Sequence, residues 1–386
     1  MSRTNLDETY EPASGRGPRD YMIRLEEVTK VYGETTAVNK LSFEVAEGDI
    51  CVLIGPSGCG KTTTLRMINR LVEPTSGSIS VNGRDTRDIR PEQLRLSIGY
   101  AIQSVGLFPH MTVAQNIAVV PRLLNWDKTR IQKRVEELLS LVSMSVDAYS
   151  NKYPFELSGG EAQRIGVARA LAADPPVLLM DEPFGAVDPL TRERLQSQFL
   201  RIQQSLKKTV ILVTHDLDEA IRMADRIAIM QSGELIQLDR PEIVLSKPAN
   251  RFVRDFVGAD RALKRLSRIP IRKVIRPAAS VGLEATVEKA IEGMERRRWI
   301  WVVDDSQRLI GWLDRIDLEE NYSVREAAHV TNPGDISVEE TATLREALSR
   351  MLGLGFEFVP VVDEGAKLVG ELALEDVERT TSEGEE

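Results

Sequence analysis

The segment that most restricts the fold is ICVLIGPSGCGKTTTLRMI, from Ile50 to Ile68. Five apolar residues lead into a glycine-rich turn, and the residues after the turn have the apolar spacing of a helix. Gly55, Gly60, Lys61 and Thr62 fit the pattern G-x-x-x-x-G-K-[S/T]. Glycines let backbone N–H groups face phosphate oxygens, and a helix start adds a positive dipole. The segment therefore predicts a phosphate-binding loop between a strand and a helix of an α/β fold.

The polar residues of this loop have distinct expected roles. Lys61 is placed to reach the β and γ phosphates of a nucleotide, and Thr62 offers a hydroxyl to Mg²⁺. We interpret Cys59 as a small filler rather than a reactive thiol. The predicted nucleotide-contacting residues of the loop are Gly55, Pro56, Ser57, Gly58, Cys59, Gly60, Lys61, Thr62 and Thr63.

Two further apolar runs end in polar residues. PPVLLMDEP, from Pro175 to Pro183, is typical of a strand buried on both faces of a parallel sheet, and it ends in Asp181 and Glu182. TVILVTHD repeats the pattern and ends near His215. Alone, such an acidic pair is more often a loop surface, and a lone histidine more often has no chemical role. Because ligands collect at the carboxyl ends of parallel strands, we expect a hydrolytic centre here.

Each of these three side chains has an expected function in hydrolysis. Asp181 would hold Mg²⁺ through water, and Glu182 would orient or deprotonate the attacking water. His215 would hold the γ-phosphate and that water.

A second glycine turn, LSGGEAQR, lies at Leu157 to Arg164. Ser158 and the N–H groups of Gly159 and Gly160 at a helix start can bind an anion. The turn has no lysine or metal ligand near it, so it can complete a phosphate site but cannot form one.

With these motifs in order, the chain from Ile23 to Arg265 resembles the ATPase subunits of ATP-binding cassette (ABC) transporters. The resemblance implies a P-loop cassette with a mixed-sheet core and a helical subdomain, which binds ATP and Mg²⁺. It implies that Tyr32 stacks on adenine and that the metal is bound by Thr62, Gln103 and Asp181. The motifs that carry it are Tyr32, Gly55 to Thr62, Gln103, Leu157 to Glu161, Asp181 with Glu182, Gly185 to Asp188, and His215.

In that family the LSGGQ turn completes the ATP site of a second subunit that faces it head to tail. Since this chain has one copy of each motif, the resemblance implies a homodimer, or pairing with a close relative, with two ATP molecules at one two-fold interface. Glu161 stands where glutamine is commoner, and GAVD where SALD is commoner. The residues added to the nucleotide-contacting set are Ser158, Gly159, Gly160, Glu161 and Asp188.

The resemblance also implies that ATP closes the dimer and that hydrolysis opens it. The motion would be transmitted through the region after Gln103 to the cytoplasmic helices of a permease. The stretch from Val105 to Val113 is a candidate docking surface, and ordinary core between two subdomains is the alternative.

Length and charge limit the remaining possibilities. With 386 residues, the chain is longer than a single core usually permits. A net charge of -9 disfavours a general nucleic-acid binder. The polar residues 1–20 lack the apolar core of a signal peptide, and no window approaches the roughly 20 apolar residues that cross a bilayer. We expect a flexible tail over 1–20 and a cytoplasmic protein that reaches the membrane through a partner.

The last third of the chain contains an internal repeat. ATVEKAIEGM, Ala285 to Met294, matches ATLREALSRM, Ala342 to Met351, and each half predicts a helix, two strands and a helix. The first helix should bury one apolar face, formed by Val287, Ala290, Ile291 and Met294. Trp299 and Trp301 share a strand face; core packing is favoured over an aromatic cage for a cation.

The repeat resembles a tandem pair of CBS domains, which implies an α+β module that often binds adenosine nucleotides between its halves. Asp317 and Asp376 match the usual ribose-binding aspartate, whereas Asp314 and Ala373 replace the usual Ser or Thr. The predicted domains are a tail (1–20), an ATP-binding domain (21–265), CBS domain 1 (266–320), CBS domain 2 (321–379) and an acidic tail (380–386).

An ABC ATPase followed by a CBS pair resembles the ATPase subunits of osmoprotectant importers, which take up quaternary amines such as glycine betaine, carnitine, choline or proline betaine. The resemblance implies a subunit bound peripherally to the cytoplasmic face of the membrane through permease subunits, with a separate substrate-binding protein. Alternatives are an importer of another small solute, such as an amino acid, and a soluble non-transport ABC ATPase.

Members of that family sense ionic strength or a cyclic dinucleotide through the CBS pair. The possible CBS ligands are therefore an adenine nucleotide, a cyclic dinucleotide or an anionic membrane surface. The cluster Arg296 to Arg298 is the candidate for salt-sensitive contacts with an anionic leaflet or an acidic partner surface, and a solvated helix end is the alternative.

Overall fold

The computed structural model describes residues 21–102, 106–185, 188–258, 261–295, 297–320 and 323–382. The predicted tail over 1–20, Gln103, Val105, Arg296 and the end of the acidic tail lie outside the described residues. The chain divides into two compact units. One holds the described residues up to Asp216 together with Met223–Leu238, and the other holds Leu217–Arg222 and the described chain from Asp239 onward.

The described residues of the first unit form two sheets. The smaller sheet is antiparallel, in the order β2-β1-β4-β5, and the larger has six strands in the order β10-β9-β3-β8-β7-β6. The strand bounds are β1 (Tyr21–Tyr32), β2 (Thr35–Ala46), β3 (Ile50–Ile54), β4 (Ser76–Val81), β5 (Arg84–Asp85), β6 (Ile98–Ala101), β7 (Val177–Asp181), β8 (Thr209–Val213), β9 (Arg226–Gln231) and β10 (Glu234–Asp239).

The central strands of the larger sheet are parallel and buried. Every residue of β3, β7 and β8 is buried, and these strands pair in parallel with one another or with β9 and β6. Their continuous apolar sequences fit strands that are covered on both faces. One hydrophobic core joins residues of the antiparallel sheet, such as Ile23 and Leu25, to Leu53 of β3 and to Leu65 and Ile68, which follow the phosphate loop.

Helices follow the strands and fill the interval between β6 and β7. The sequence between these strands folds as a helical segment in which Val113, Leu138 and Ile165 are fully buried. The α/β class with a helical subdomain is confirmed. The helix bounds are α1 (Lys61–Ile68), α2 (Pro91–Ser97), α3 (Val113–Ile117), α4 (Val119–Leu123), α5 (Lys128–Leu141), α6 (Val146–Tyr149), α7 (Gly159–Leu171) and α8 (Pro189–Leu206).

The second unit contains short helices followed by the two repeats. The helices before the repeats are α9 (Leu217–Met223), α10 (Pro241–Ser246), α11 (Arg251–Val257) and α12 (Arg261–Leu266). The first repeat and the segment after it comprise β11 (Ser280–Gly282), α13 (Val287–Met294), β12 (Trp299–Val303), β13 (Leu309–Asp314), α14 (Arg315–Glu320), α15 (Val324–Ala327), β14 (His329–Val330) and α16 (Pro333–Ile336). The second repeat comprises β15 (Val338–Glu339), α17 (Leu344–Leu354), β16 (Phe358–Val362), β17 (Leu368–Ala373) and α18 (Leu374–Ser382).

Each repeat has one strand more than the sequence predicts. β11 pairs in parallel with β12, and β15 pairs in parallel with β16. These strands have three and two residues, which is too short for an alternating pattern to be recognised.

One residue of the predicted apolar helix face is not in the core. Ala290 and Met294 are fully buried, but Ile291 is 44% exposed, so its assignment to the core is wrong. Successive helix residues are rotated by about 100°, which places Ile291 at the edge of the stripe, away from Ala290. α13 is only eight residues long and its buried stripe is narrow.

Contacts between the two repeats centre on Glu371 of β17. Its side chain is 1% exposed and accepts hydrogen bonds from Arg297 and, at 2.9 Å, from the indole N–H of Trp301. The Phe356 ring centroid lies 5.1 Å from that of Trp299 and 6.2 Å from that of Trp301. The expected core packing is confirmed for Trp301, which is 3% exposed. Phe356 therefore packs against both indole rings.

No helix among the residues described by the structure is both long and apolar enough to cross a membrane.

The Glu371 contact gives a first prediction. Glu371→Ala leaves the buried indole N–H of Trp301 without its acceptor, so it should lower the free energy of unfolding by about 1–3 kcal/mol. Glu375→Ala is the matched control, because Glu375 is exposed on α18. Urea unfolding of the full chain measures both variants, and an equal loss in the two would contradict the assigned contact.

Candidate active site

The phosphate loop occupies the turn from β3 to α1. Gly55 has φ 154°, and a Cβ there would lie 2.1 Å from the carbonyl oxygen of Met230. Gly60, the N-cap of α1, has φ 102°, and a Cβ there would lie 2.5 Å from the carbonyl oxygen of Ala37. Both glycines are therefore required by the close approach of neighbouring backbone. Cys59 is 3% exposed, as its interpretation as a filler requires.

The Lys61 side chain is enclosed by its own loop. It is 8% exposed, and its Nζ donates to the carbonyl oxygens of Gly55 at 2.7 Å and Pro56 at 3.0 Å. Among the residues that the structure describes, no carboxylate forms an ion pair with Lys61. A buried ammonium paired only with neutral groups fits the binding of an anion such as a phosphate.

The hydroxyl of Thr62 and the carboxylate of Asp181 meet beside this loop. Thr62 Oγ1 donates to Asp181 Oδ1 at 3.0 Å. Asp181 is 4% exposed, and burial raises its pKa although the Thr62 bond opposes the shift. Within the described residues, no group of three or more His, Cys, Asp or Glu side chains could hold a metal ion. Hydroxyl and carboxylate oxygens are among the donor atoms that hard cations such as Mg²⁺ accept.

Glu182 and His215 are also brought together. β7 and β8 are parallel neighbours, so the residues after them meet at one edge of the sheet. The Nδ1 atom of His215 lies 3.2 Å from Oε1 of Glu182. Glu182 has φ 47°, a left-handed conformation that is uncommon for a non-glycine residue. Its N–H donates to the carbonyl oxygen of Val213 at 2.9 Å, which helps to hold this conformation.

Two predicted nucleotide contacts lie on exposed surface. Tyr32, at the end of β1, is 49% exposed, and the Lys30 ammonium lies 4.9 Å from its ring centroid. Asp188 is exposed and accepts a hydrogen bond from the N–H of Thr191 at 3.0 Å, so it caps α8.

The second glycine turn begins α7. Ser158 and Gly159 are exposed, and Ser158 caps the helix: Glu161 N–H donates to its Oγ at 3.3 Å, and its own N–H donates to Glu161 Oε2 at 2.7 Å. In the described part of the chain, no hydrogen bond joins this turn to the phosphate loop. The structure thus groups the loop with Asp181, Glu182 and His215, and leaves the second turn facing outward.

Sequence reasoning missed the partner of Glu161. The Tyr149 hydroxyl donates to Glu161 Oε1 at 2.6 Å. This hydrogen bond, followed by the one from the Ser158 backbone, lowers the pKa of Glu161 to about 2. Glutamate at this position therefore serves as an ionised cap of α7. No motif connects Tyr149 to the turn, so only its position in space identifies it.

The aspartates matched to a CBS ligand site have partners within their own module. Asp317 Oδ2 lies 2.7 Å from His329 Nε2, and Asp376 accepts from the Ala373 N–H at 3.1 Å. Arg298 pairs with Asp314 at 2.8 Å. Burial is the largest influence on the pKa of Asp314 and raises it, but the hydrogen bonds from Arg298 and from the Ile316 N–H, together with the charge of Arg298, outweigh burial, and the net shift is downward.

This arrangement is that of an ATP-binding cassette ATPase. It combines a phosphate loop with an acidic strand end and a histidine after the neighbouring strand, and it has a separate capped glycine turn. A family model described as ABC transporter matches residues 38–185, and one described as CBS domain matches 266–323 and 325–381. The dimeric structure of MJ0796, a bacterial ABC transporter cassette, is similar with a TM-score of 0.53 and 33% identity, covering 57% of this chain and 98% of that chain.

Two relatives match nearly the whole chain. It is 45% identical over 372 residues to the osmoprotectant import ATP-binding protein OsmV of Salmonella typhimurium, covering 94% of this chain and 97% of OsmV. It is 46% identical over 357 residues to the glycine betaine/carnitine/choline transport ATP-binding protein OpuCA of Bacillus subtilis, covering 90% and 93%. The chain belongs to the ABC transporter ATP-binding proteins, in the group of OsmV and OpuCA with a CBS pair, and it is an ATPase.

The capping of α7 gives a prediction about pH. A lowered carboxylate pKa adds stability above the ordinary value of 4.5, and this stability is lost as pH falls toward 2. Tyr149→Phe removes the largest cause of the shift. The variant should be less stable than the native chain above pH 4.5, and the difference should shrink below it. Urea unfolding at a series of pH values measures this.

Tyr32→Phe is the control for this experiment, because it removes a hydroxyl from an exposed tyrosine. Its effect should not change with pH. A Tyr149→Phe difference that is equally constant across the acid range would contradict the link to Glu161.

Proposed function

We propose that this chain is the ATP-hydrolysing subunit that energises an importer of quaternary-amine osmoprotectants such as glycine betaine, carnitine, choline or proline betaine. The observation that carries the proposal is that one chain combines the ATPase site with the CBS repeat over nearly the whole length of OsmV. The spermidine/putrescine import protein PotA of Rubrobacter xylanophilus is 42% identical, but the match covers only 74% of this chain. The osmoprotectant, glycine betaine, carnitine and choline transport proteins OsmV, OpuCA and OpuBA instead match 90% or more of this chain, which favours an osmoprotectant over a polyamine.

The loop residues would bind the phosphates of ATP in this proposal. The backbone N–H groups within 55–63, except at Pro56, which has none, and the Lys61 ammonium would face the β and γ phosphates, and the exposed Tyr32 ring would stack on adenine. Mg²⁺ would neutralise phosphate charge, held by Thr62 and Asp181, with Gln103 as a further ligand. The 3.0 Å contact between the Thr62 hydroxyl and Asp181 supports this ligand set.

Glu182 and His215 would carry out the hydrolytic step. Glu182 orients the attacking water or accepts its proton, and His215 holds the γ-phosphate and the water in line. The 3.2 Å separation of their side chains supports this division, because one water or phosphate oxygen can contact both groups.

Two copies of the chain would form the working unit. Ser158, Gly159, Gly160 and Glu161 of each copy complete the ATP site of the other, and Asp188 adds to the same interface. Support comes from the exposure of Ser158, Gly159 and Asp188 and from the absence of any hydrogen bond, in the described residues, between the turn and its own phosphate loop.

The subunit would lie on the cytoplasmic face of the membrane, bound to permease subunits that receive solute from a substrate-binding protein. Phe108, which is 41% exposed, belongs to the candidate docking surface after Gln103. Asn116 fixes the Phe108 backbone: the Phe108 N–H donates to Asn116 Oδ1 at 2.8 Å, and Asn116 Nδ2 donates to the Phe108 carbonyl oxygen at 3.2 Å. Val113 is fully buried and fits the alternative of ordinary core.

The CBS pair would regulate the ATPase by binding an adenine nucleotide or a cyclic dinucleotide. A contact with an anionic membrane has less support, because Arg297 and Arg298 are each paired with a carboxylate of the same module. No nucleic acid is part of the proposal.

The substrate is tested with the complete importer. The chain is produced together with the permease and binding protein that co-purify with it, and uptake of labelled glycine betaine, choline and carnitine is measured in vesicles. We expect ATP-dependent uptake of at least one quaternary amine. Uptake of a polyamine or an amino acid instead would refute the proposed substrate class.

The shared ATP site is tested with Glu182→Gln. This variant should lose ATPase activity and accumulate as an ATP-bound dimer, because the dimer closes but hydrolysis cannot open it. Sedimentation velocity with and without ATP measures the dimer. Glu92→Gln, an exposed glutamate of α2, is the control and should behave like the native chain. A Glu182→Gln chain that stays monomeric with ATP would refute the paired site.

A further inference from the structure

His215 is exposed, whereas the residues on either side of it, Thr214 and Asp216, are fixed by hydrogen bonds. Its side chain is 66% exposed. Thr214 is 2% exposed, and its N–H donates to the carbonyl oxygen of Leu53 at 3.3 Å. The Asp216 N–H donates to Thr214 Oγ1 at 3.0 Å. The position of the imidazole therefore depends on how the residues on either side of it are fixed.

Asp216 is fixed by a side chain from another element. Its Oδ2 accepts a hydrogen bond from the Arg192 guanidinium at 3.3 Å, and both side chains are partly buried, with 28% and 32% exposed. A charge-assisted hydrogen bond between partly buried side chains is stronger than an ion pair that is exposed to solvent.

Arg192 lies near the start of α8. Its N–H donates to the carbonyl oxygen of Asp188 at 2.8 Å, and Asp188 caps the helix through the N–H of Thr191. The residue that carries the guanidinium is therefore hydrogen-bonded to the cap at the start of α8.

We propose that the Arg192–Asp216 pair positions His215 and connects it to the start of α8. The inference rests on the proposed function, since it takes His215 to act on ATP and Asp188 to lie at the interface with a second copy. A shift of the α8 start on closure of that interface would pass through the pair to the loop. It would then change the 3.2 Å separation between His215 and Glu182. Arg192 touches no reacting atom, so it is a positioning residue.

Loss of the pair should affect turnover rather than ATP binding. The Lys61 loop is held by its own hydrogen bonds, so the affinity for phosphates does not depend on Arg192. The imidazole would lose a fixed position, and misplacement of a catalytic group by about 1 Å can reduce a rate by roughly 100-fold.

The test measures steady-state ATPase activity of the full chain for Arg192→Gln, Asp216→Asn and the double variant. Each single change should lower kcat by about tenfold and leave the KM for ATP within about twofold. The double variant should be no slower than the slower single variant, because both changes remove the same contact. Arg192→Lys should recover part of the rate. Arg194→Gln, the same charge change at an exposed position of α8, is the matched control and should keep native kcat.

The inference is overturned if the two single losses multiply in the double variant, or if Arg194→Gln loses as much as Arg192→Gln. If thermal unfolding shows that Arg192→Gln does not fold, two other variants are used. The kcat of Arg192→Asp is compared with the kcat of the double variant Arg192→Asp/Asp216→Arg, in which the charges of the pair are reversed. A higher kcat in the reversed pair supports the inference, and an equal kcat overturns it. The native chain in the same assay separates the two proposals: absence of native ATPase activity refutes the proposed function, whereas unaffected variants refute only the pair.

Discussion

The site depends on the parallel pairing of β3, β7 and β8. Val213 is in register with both Leu53 and Asp181, so the three strands end at the same level. Because the strands are parallel, the residues that follow them meet at one edge. The phosphate loop, the two carboxylates and His215 come from parts of the chain about 160 residues apart, and this register alone brings them together. The buried apolar strands thus position the polar residues of the site.

The sequence predicts the parts of the site that have local patterns. The phosphate loop, the buried strand before Asp181 and the helix after LSGG all follow from residue spacing, and the structure contains each of these elements. Contacts between distant residues leave no such pattern. Sequence reasoning found neither of two such hydrogen bonds. The bond from the Tyr149 hydroxyl to Glu161 joins residues 12 positions apart, and the bond from the Trp301 indole to Glu371 joins residues 70 positions apart. The same limit applies to β11 and β15, which are defined by their partner strands.

The second glycine turn links fold to assembly. Its helix is well capped: Ser158 and Glu161 hydrogen-bond each other, and the Tyr149 hydroxyl lowers the pKa of Glu161. The turn is exposed and, among the described residues, makes no hydrogen bond to its own phosphate loop, which supports the proposal that it completes a phosphate site on another copy. We therefore propose that two copies pair, since two-fold dimers are the commonest closed symmetry. The Arg192–Asp216 pair then gives a physical route from the paired surface back to His215.

The most direct test of this account asks which chain the turn contacts. A photoreactive cross-linker is attached to Ser158→Cys in the Glu182→Gln chain, where Cys51 and Cys59 are buried and react less readily. This chain is mixed with a tagged Glu182→Gln chain and exposed to ATP and light. Our account predicts cross-links to residues 55–63 of the tagged chain, dependent on ATP and absent when the tagged chain also carries Lys61→Ala. Cross-links confined to the phosphate loop of the labelled chain itself would contradict it.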